Sequence, residues 1–161
     1  MKTARLLLFV MGGAAVGFAQ QPAAAPAGHV MTTATDLVWG AGPPMLNPGA
    51  KLAVLSGDPA APGPFVVRFQ APAGYKIAPH WHPTDENVTV LSGTFAMGTG
   101  ESFDEKAMKD LPAGGYARMP AETRHYALAK TAVTLQVHGT GPFTLTYVNP
   151  ADDPRNKPAT R

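Results

Sequence analysis

The sequence predicts an all-β protein, a sandwich or barrel of many short strands, and three observations favour this class. The 17 glycines and 17 prolines are spread along the chain, which suits tight turns between short elements rather than long helices. From position 51 onward, short apolar runs recur between these turn residues. A length of 161 residues and a hydrophobic content of 45% fit one globular domain of ordinary size.

The predicted strands follow one another from residue 52. Each candidate is a short run rich in branched, aromatic or other apolar side chains that lies between turn residues. We predict strands at 52–55, 65–69, 75–81, 87–91, 94–97, 116–119, 125–129, 133–137 and 143–148. Residues 102–110 alone have a helix-like composition, and we expect a short surface helix there.

The first 19 residues have the pattern of an export signal. Lys2 and Arg5 precede an apolar stretch, and small residues follow it. This pattern predicts cleavage between Ala19 and Gln20, whereas a membrane anchor is disfavoured because the apolar run is short and interrupted by glycines. We therefore expect a soluble mature protein in the periplasm or outside the cell.

The rest of the chain divides by composition. We predict a flexible linker rich in alanine and proline at 20–29, one domain at 30–149 and a polar tail at 150–161. Removal of Lys2 and Arg5 with the signal lowers the basic residues from 13 to 11, which equals the 11 acidic ones. This balance, without basic runs, indicates neither a nucleic acid nor an anionic membrane as partner. The absence of cysteine excludes disulfides and thiol chemistry.

Three histidines and one glutamate predict a metal site. His80 and His82 are two residues apart in a predicted strand, so both imidazoles point to the same face. The turn residues at 83–85 are expected to return Glu86 beside them, and His125 begins another predicted strand. Three neutral imidazoles and one carboxylate are a suitable ligand set for a divalent transition metal.

The spacing of these residues resembles the first motif of the cupin superfamily. That motif reads Gly, five residues, His-x-His, three or four residues, Glu, six residues, Gly. Every position of it is present in this chain: Gly74, His80, His82, Glu86 and Gly93.

The second cupin motif is matched in part. It reads Gly, five residues, Pro-x-Gly, two residues, His, three residues, Asn. Gly114, Pro120 and His125 fit this pattern. Glu122 replaces the turn glycine and Ala129 replaces the final asparagine, so the local turn geometry is open while the histidine is retained.

The resemblance implies a jelly-roll-like β-barrel over about residues 51–148, with the surface helix between the two motifs and a metal ion inside. In cupins the two histidines and the glutamate of the first motif and the histidine of the second bind the ion. Here these ligands are His80, His82, Glu86 and His125. We expect zinc first, with manganese, iron, nickel and copper as alternatives. Cupins are often dimers, so a homodimer is a further expectation.

Strand alternation extends the prediction to the wall of a cavity. Side chains two residues away from Glu86 or His125 on the same strand face the same way as these ligands. Alternation places Val88 and Val90 on the face of Glu86, and Ala127 and Ala129 on the face of His125. Phe95 and Met97, on a neighbouring predicted strand, are expected to line the apolar cavity as well. Such a cavity indicates a small molecule as ligand or substrate.

The reaction itself stays open. No Ser-His-Asp set, carboxylate pair or phosphate loop accompanies the cluster, so any catalysis is expected at the metal, and no further catalytic residue is assigned. We predict a metalloenzyme of the oxygenase, lyase or isomerase type that acts on a small apolar molecule. The alternative is a non-catalytic module that binds or senses a small ligand through its metal. His138 has either a structural role or a role in proton transfer.

Overall fold

The computed structural model describes residues 28–157, and within them the chain forms eleven β-strands. In chain order they are β1 Gly40–Ala41, β2 Lys51–Ser56, β3 Gly63–Ala71, β4 Lys76–Trp81, β5 Glu86–Ser92, β6 Thr94–Thr99, β7 Lys109–Pro112, β8 Tyr116–Met119, β9 His125–Ala129, β10 Val133–Gly141 and β11 Thr146–Tyr147. The predicted export signal, most of the predicted linker and the last four residues of the predicted tail lie outside the described residues.

The strands form two antiparallel sheets. One sheet has six strands in the order β1-β2-β3-β10-β5-β8, and the other has five in the order β11-β4-β9-β6-β7. The all-β class is confirmed, and each predicted strand overlaps an observed one. The sequence pattern misses β1 because it has only two residues, and β7 because Leu111 is its only large apolar side chain.

The sheets do not close into the predicted barrel. Within residues 28–157, no strand is paired between the two sheets. The edge strands are short, with two residues in β1 and β11 and four in β7 and β8, so the hydrogen-bonded ladder ends before the sheets can join. The observed architecture is a β-sandwich whose two sheets pack face to face.

The predicted surface helix at 102–110 is not shown. In that segment only Glu105–Ala107 form a 3₁₀ turn, capped by the side chain of Asp104. The segment covers the outer face of β9, because the ring of Phe103 packs 5.1 Å from that of Tyr126. This cover explains why all five residues of β9 are buried. In the part of the chain that the structure describes, no helix has the length and hydropathy to cross a bilayer.

The inner faces of the two sheets form the hydrophobic core. In β3 and β10, buried residues alternate with more exposed ones, as the pleat of a strand requires. The core is built mainly from Phe65, Val67, Phe69, Val88, Val90, Phe95, Met97, Leu111, Val133, Leu135 and Val137. Among the described residues, the buried polar side chains are His80, His82, His125 and Asp153, and Asp153 pairs with Arg155 in the C-terminal turns.

Two tyrosines anchor the loop that precedes β2. The hydroxyl of Tyr147 donates to the carbonyl of Met45 at 2.8 Å, and that of Tyr75 donates to the carbonyl of Asn47. Burial raises the pKa of each tyrosine to about 12, so both hydroxyls stay protonated and keep donating at neutral pH. The loop at 43–47 is thereby held against the core.

Candidate metal centre

Two paired strands and one turn bring the predicted ligands together. His80 lies near the end of β4 and is paired directly with His125, the first residue of β9. His82 follows β4, and the turn at 83–85 leads to Glu86, the first residue of β5. The exposed fractions of His80, His82 and His125 are only 2%, 5% and 1%.

The three imidazoles converge on one point. One ring nitrogen from each of His80, His82 and His125 lies within 4.8 Å of the others. Glu86 approaches from the side, with Oε2 at 3.2 Å from Nε2 of His125 and Oε1 at 3.9 Å from Nε2 of His82. The cluster therefore has the dimensions of a site for one ion.

Backbone carbonyls fix the tautomer of each imidazole. The Nδ1 atoms contact carbonyl oxygens as follows: His80 to Ala78 at 2.7 Å, His82 to Thr144 at 2.6 Å, and His125 to Thr123 at 2.8 Å. A carbonyl only accepts, so Nδ1 is the protonated donor, and a neutral ring then has its lone pair on Nε2. Metal-binding histidines are typically oriented by a second hydrogen bond of this kind.

Several atoms of the cluster lack a hydrogen-bond donor. Within the described residues, Nε2 of His82, Nε2 of His125 and Oε2 of Glu86 are buried without a hydrogen-bond partner, and the last two atoms lie 3.2 Å apart. Buried acceptors that face one another without a donor are costly. A cation between them removes that cost, so these residues fit a divalent metal ion.

Comparison with known proteins identifies the family. The family model for the ChrR cupin-like domain matches residues 27–144. The chain belongs to this cupin family. The prediction drawn from the two motifs is thereby confirmed. The search of curated proteins found no match.

Solved structures share this cupin fold. The polyketide cyclase RemF from Streptomyces resistomycificus matches with a TM-score of 0.63 and 16% identity, covering 77% of this chain and 88% of its own. A protein from Methylibium petroleiphilum PM1, described as a candidate acetylacetone dioxygenase, matches with a TM-score of 0.60 and 22% identity, covering 81% of this chain and 88% of its own. An RmlC-like cupin from Ralstonia eutropha JMP134 matches with a TM-score of 0.58 and 20% identity, covering 75% of this chain and 73% of its own. At these identities the likeness shows the fold alone.

The second cupin motif keeps its turn despite the missing glycine. Glu122 occupies the glycine position with φ of 62°, the left-handed conformation that glycine adopts most readily. Its backbone N–H donates to the carbonyl of His82 at 2.8 Å and so joins the two motifs. The left-handed turn of the motif is therefore retained, although Glu122 adopts this conformation less readily than glycine.

Replacing Glu122 by glycine is expected to stabilise the protein. In the left-handed conformation a residue with a Cβ is destabilised by about 1–2 kcal/mol, and glycine removes this penalty. The greater conformational freedom of glycine in the unfolded state offsets about 0.5–1 kcal/mol of the stabilisation. We expect Glu122→Gly to raise the midpoint of thermal unfolding by a few degrees, while Glu122→Ala leaves it nearly unchanged. Scanning calorimetry measures both, and a lower midpoint for Glu122→Gly would contradict the backbone argument.

The charges within the cluster shift the pKa values of its members. Burial, reinforced by the nearby His125 and His82, lowers the pKa of His80 to about 3, and burial also lowers that of His82. Burial by itself raises the pKa of Glu86, but the contact with His125 and the surrounding imidazoles outweigh it and lower the value to about 2. For His125, burial acts downward, yet the adjacent Glu86 carboxylate raises the pKa above its usual value.

The metal-free protein is expected to lose stability on acidification. Folded His80 accepts a proton only near pH 3, whereas the unfolded imidazole does so near its ordinary value of 6.5, so the unfolded state binds more protons between these limits. The free energy of unfolding then falls as the pH is lowered through this window. His82 and Glu86, whose pKa values are also lowered, act in the same direction. The raised pKa of His125 opposes them, because its contribution is lost as the pH rises through that value.

Urea unfolding of chelator-treated protein at a series of pH values measures this effect. His80→Gln removes the largest contribution and is expected to flatten the dependence. The same slope in His80→Gln and in the unmodified protein would contradict the assignment.

An apolar cavity of about 220 Å³ adjoins the cluster. His80, His82 and Glu86 lie on its wall, together with four of the predicted lining residues, Val88, Phe95, Met97 and Ala127. Val90 is buried with an exposed fraction of 1%, but it packs in the core away from the cavity. The remainder of the wall is mainly aliphatic and aromatic and includes Met45, Leu46, Leu52, Phe65, Val67, Phe69, Ile77, Leu135, Val137, Phe143 and Leu145.

The segment at 143–145 contributes to the site and is missed by sequence reasoning. The ring of Phe143 stacks on the imidazole of His82, with centroids 4.1 Å apart and planes inclined by 15°. The next residue, Thr144, supplies the carbonyl that accepts from His82. The Gly-Pro pair at 141–142 signals a turn in the sequence, but no local pattern indicates that this turn returns to His82.

Other polar residues near the motifs have partners outside the cavity. The Asp85 carboxylate accepts from Arg118 at 2.6 Å and 3.1 Å and from the backbone of Ala121 at 2.9 Å. This contact holds the turn of the first motif against the loop of the second. Trp81 is half-buried, with the guanidinium of Arg124 at 5.5 Å from its ring. His138 is not among the residues that line the cavity.

Proposed function

We propose that this cupin is a mononuclear metalloprotein in which His80, His82, Glu86 and His125 hold one divalent transition metal. The observation that carries the proposal is the set of three buried imidazoles whose Nδ1 atoms all donate to carbonyls. Their Nε2 lone pairs therefore face the same point, next to a carboxylate that lacks a donor. This donor set suits a borderline divalent ion.

Zinc is the ion we propose first, with manganese, iron, nickel and copper as alternatives. In the proposed signal at residues 1–19, Lys2 and Arg5 are separated, so the twin-arginine pair that directs export of folded proteins is missing. We therefore propose that the chain is exported unfolded and binds its metal after it folds outside the cytoplasm. There, zinc or copper outcompetes manganese and iron for three nitrogens and one oxygen. Elemental analysis of the protein exported by its own host, without a nickel column, identifies the ion. Stoichiometric manganese or iron would overturn the loading argument.

The proposed activity is that of an oxygenase, lyase or isomerase acting on a small apolar molecule. When bound, the ion supplies Lewis-acid activation or coordination positions for oxygen chemistry. The chain contributes the apolar wall, which excludes water and orients the substrate body. Glu86 contributes a carboxylate at the edge of the cavity, the one acidic side chain among the described lining residues. The structurally similar cyclase and candidate dioxygenase support the proposal only in so far as proteins described with such activities share this fold.

A non-catalytic module for small-ligand binding or sensing is the second candidate. The observation that favours it is the composition of the wall, where the described residues offer no acid or base besides Glu86 and the histidines of the cluster. A homodimer and the domain limits given above stay predictions.

One experiment separates the two candidates. Metal-loaded protein and a His125→Ala control are incubated with a solvent extract of small molecules from the host, and the extract is followed by mass spectrometry. Consumption of a compound only with the metal-loaded protein supports an enzyme. Retention of an unchanged compound in the protein fraction supports a binding module. No difference from the control would contradict both.

A further inference from the structure

The wall of the cavity restricts what its ligand can be. Among the described residues that line it, none is Lys or Arg, and apart from the cluster the one polar side chain is the hydroxyl of Thr144, whose backbone carbonyl contacts His82. A ligand with hydroxyl, ammonium or phosphate groups along its body would leave them unpaired in this cavity, and each unpaired group costs binding energy. Such polar molecules are therefore excluded from it.

The charge of the loaded site adds a second restriction. Three neutral imidazoles and one ionised carboxylate leave a divalent ion with one uncompensated positive charge, and among residues 28–157 Glu86 is the one acidic side chain that lines the cavity. Beside a mainly apolar wall an uncompensated charge is unfavourable. One anionic group neutralises the site, whereas a neutral ligand leaves the charge uncompensated and a dianion reverses it.

The volume sets a third restriction. An apolar cavity of about 150 Å³ in another protein accepts benzene, so the volume of about 220 Å³ here accommodates a body on the order of ten non-hydrogen atoms. Four phenylalanines contribute to the wall, Phe65, Phe69, Phe95 and Phe143, and suit the faces and edges of a flat ring.

We infer that the ligand of this cavity is a small monoanion with one anionic oxygen, a carboxylate or a phenolate, on an apolar, flat body. Its oxygen lies against the His80–His82–His125 cluster and its body lies among the four phenylalanines. This inference rests on the proposed metal site. It goes beyond that site by naming the charge, size and shape of the ligand.

Calorimetric titration of zinc-loaded protein with matched pairs tests the inference. Benzoate is compared with benzamide, and 4-nitrophenolate with 4-nitroanisole, so each pair shares a ring and differs in the anionic oxygen. We expect the anions to bind at least about tenfold more tightly than their neutral partners. Terephthalate, a dianion, and glucuronate, a polar monoanion, are expected to bind more weakly than benzoate. Whichever of the two anions, benzoate or 4-nitrophenolate, binds more tightly decides between a carboxylate and a phenolate.

A variant that fills the cavity supplies the second test. Ala127 faces the cavity two residues after His125, so Ala127→Leu is expected to keep the zinc content while weakening benzoate binding at least about tenfold by reducing the volume. Equal affinities within both pairs, or benzoate binding unchanged in a zinc-loaded Ala127→Leu variant, would overturn the inference even if zinc is bound. Failure of the unmodified protein to bind zinc would instead overturn the metal site on which the inference rests.

Discussion

Replacing Glu86 by alanine is expected to remove most of the stability that metal binding confers. Within the described part of the chain, the carboxylate is the one anion beside the three imidazoles. A hundredfold loss of affinity lowers the metal-dependent free energy of unfolding by about 2.7 kcal/mol. Glu122→Ala is the matched control, since its side chain is exposed in the turn of the second motif. Thermal unfolding with excess zinc, and again with chelator, measures the difference for both variants.

The comparison with chelator separates metal binding from a structural role. The imidazoles that lower the pKa of Glu86 to about 2 surround it without metal as well, so the metal-free protein is expected to lose some stability when the carboxylate is removed, but less than the zinc-loaded protein. A loss of equal size with and without zinc would assign Glu86 a structural role. Equal zinc occupancy in Glu86→Ala and Glu122→Ala would remove it from the ligand set.

Gly93→Ala is expected to be among the more damaging single changes outside the cluster. Gly93 ends the first motif between β5 and β6, with φ of 80°, and a Cβ there lies 2.2 Å from the carbonyl oxygen of Ala132. The left-handed penalty and this backbone clash together are expected to cost more than about 3 kcal/mol. Denaturant unfolding measures the loss.

Gly74 offers a matched control at the other end of the same motif. It has the same φ of 80°, but a Cβ there meets no atom within 4 Å. Gly74→Ala is therefore expected to cost only the conformational penalty, about 1–2 kcal/mol. Equal losses in the two variants would show that the clash at Gly93 is relieved by movement of the facing turn that contains Ala132.

The cluster of candidate ligands can be predicted from the sequence because its spacing depends on local features of the chain. His80 and His82 share a face through the period of two, and the turn at 83–85 is short enough to return Glu86 beside them. Features that depend on distant contacts are not predicted. The carbonyl that orients His82 belongs to Thr144, 62 residues away, and the stacking of Phe143 follows from the same return of the chain.

The errors at the level of the fold have similar causes. Barrel closure depends on whether edge strands find partners, and no local pattern in β1 or β11 indicates that they end after two residues. The composition of 102–110 suggests a helix, but Phe103 anchors this segment to the outer face of β9 instead. Val90 alternates correctly with Val88, yet alternation does not tell where along a strand the cavity ends.

Anomalous diffraction from a crystal of the zinc-loaded protein, recorded above and below the zinc absorption edge, tests the central claim most directly. We expect one strong peak within coordination distance of Nε2 of His80, His82 and His125 and of a carboxylate oxygen of Glu86. We also expect the peak to be lost in His125→Ala crystals. No peak at the cluster, or zinc bound only at His29 or His138, would contradict the claim that these four side chains form a metal centre.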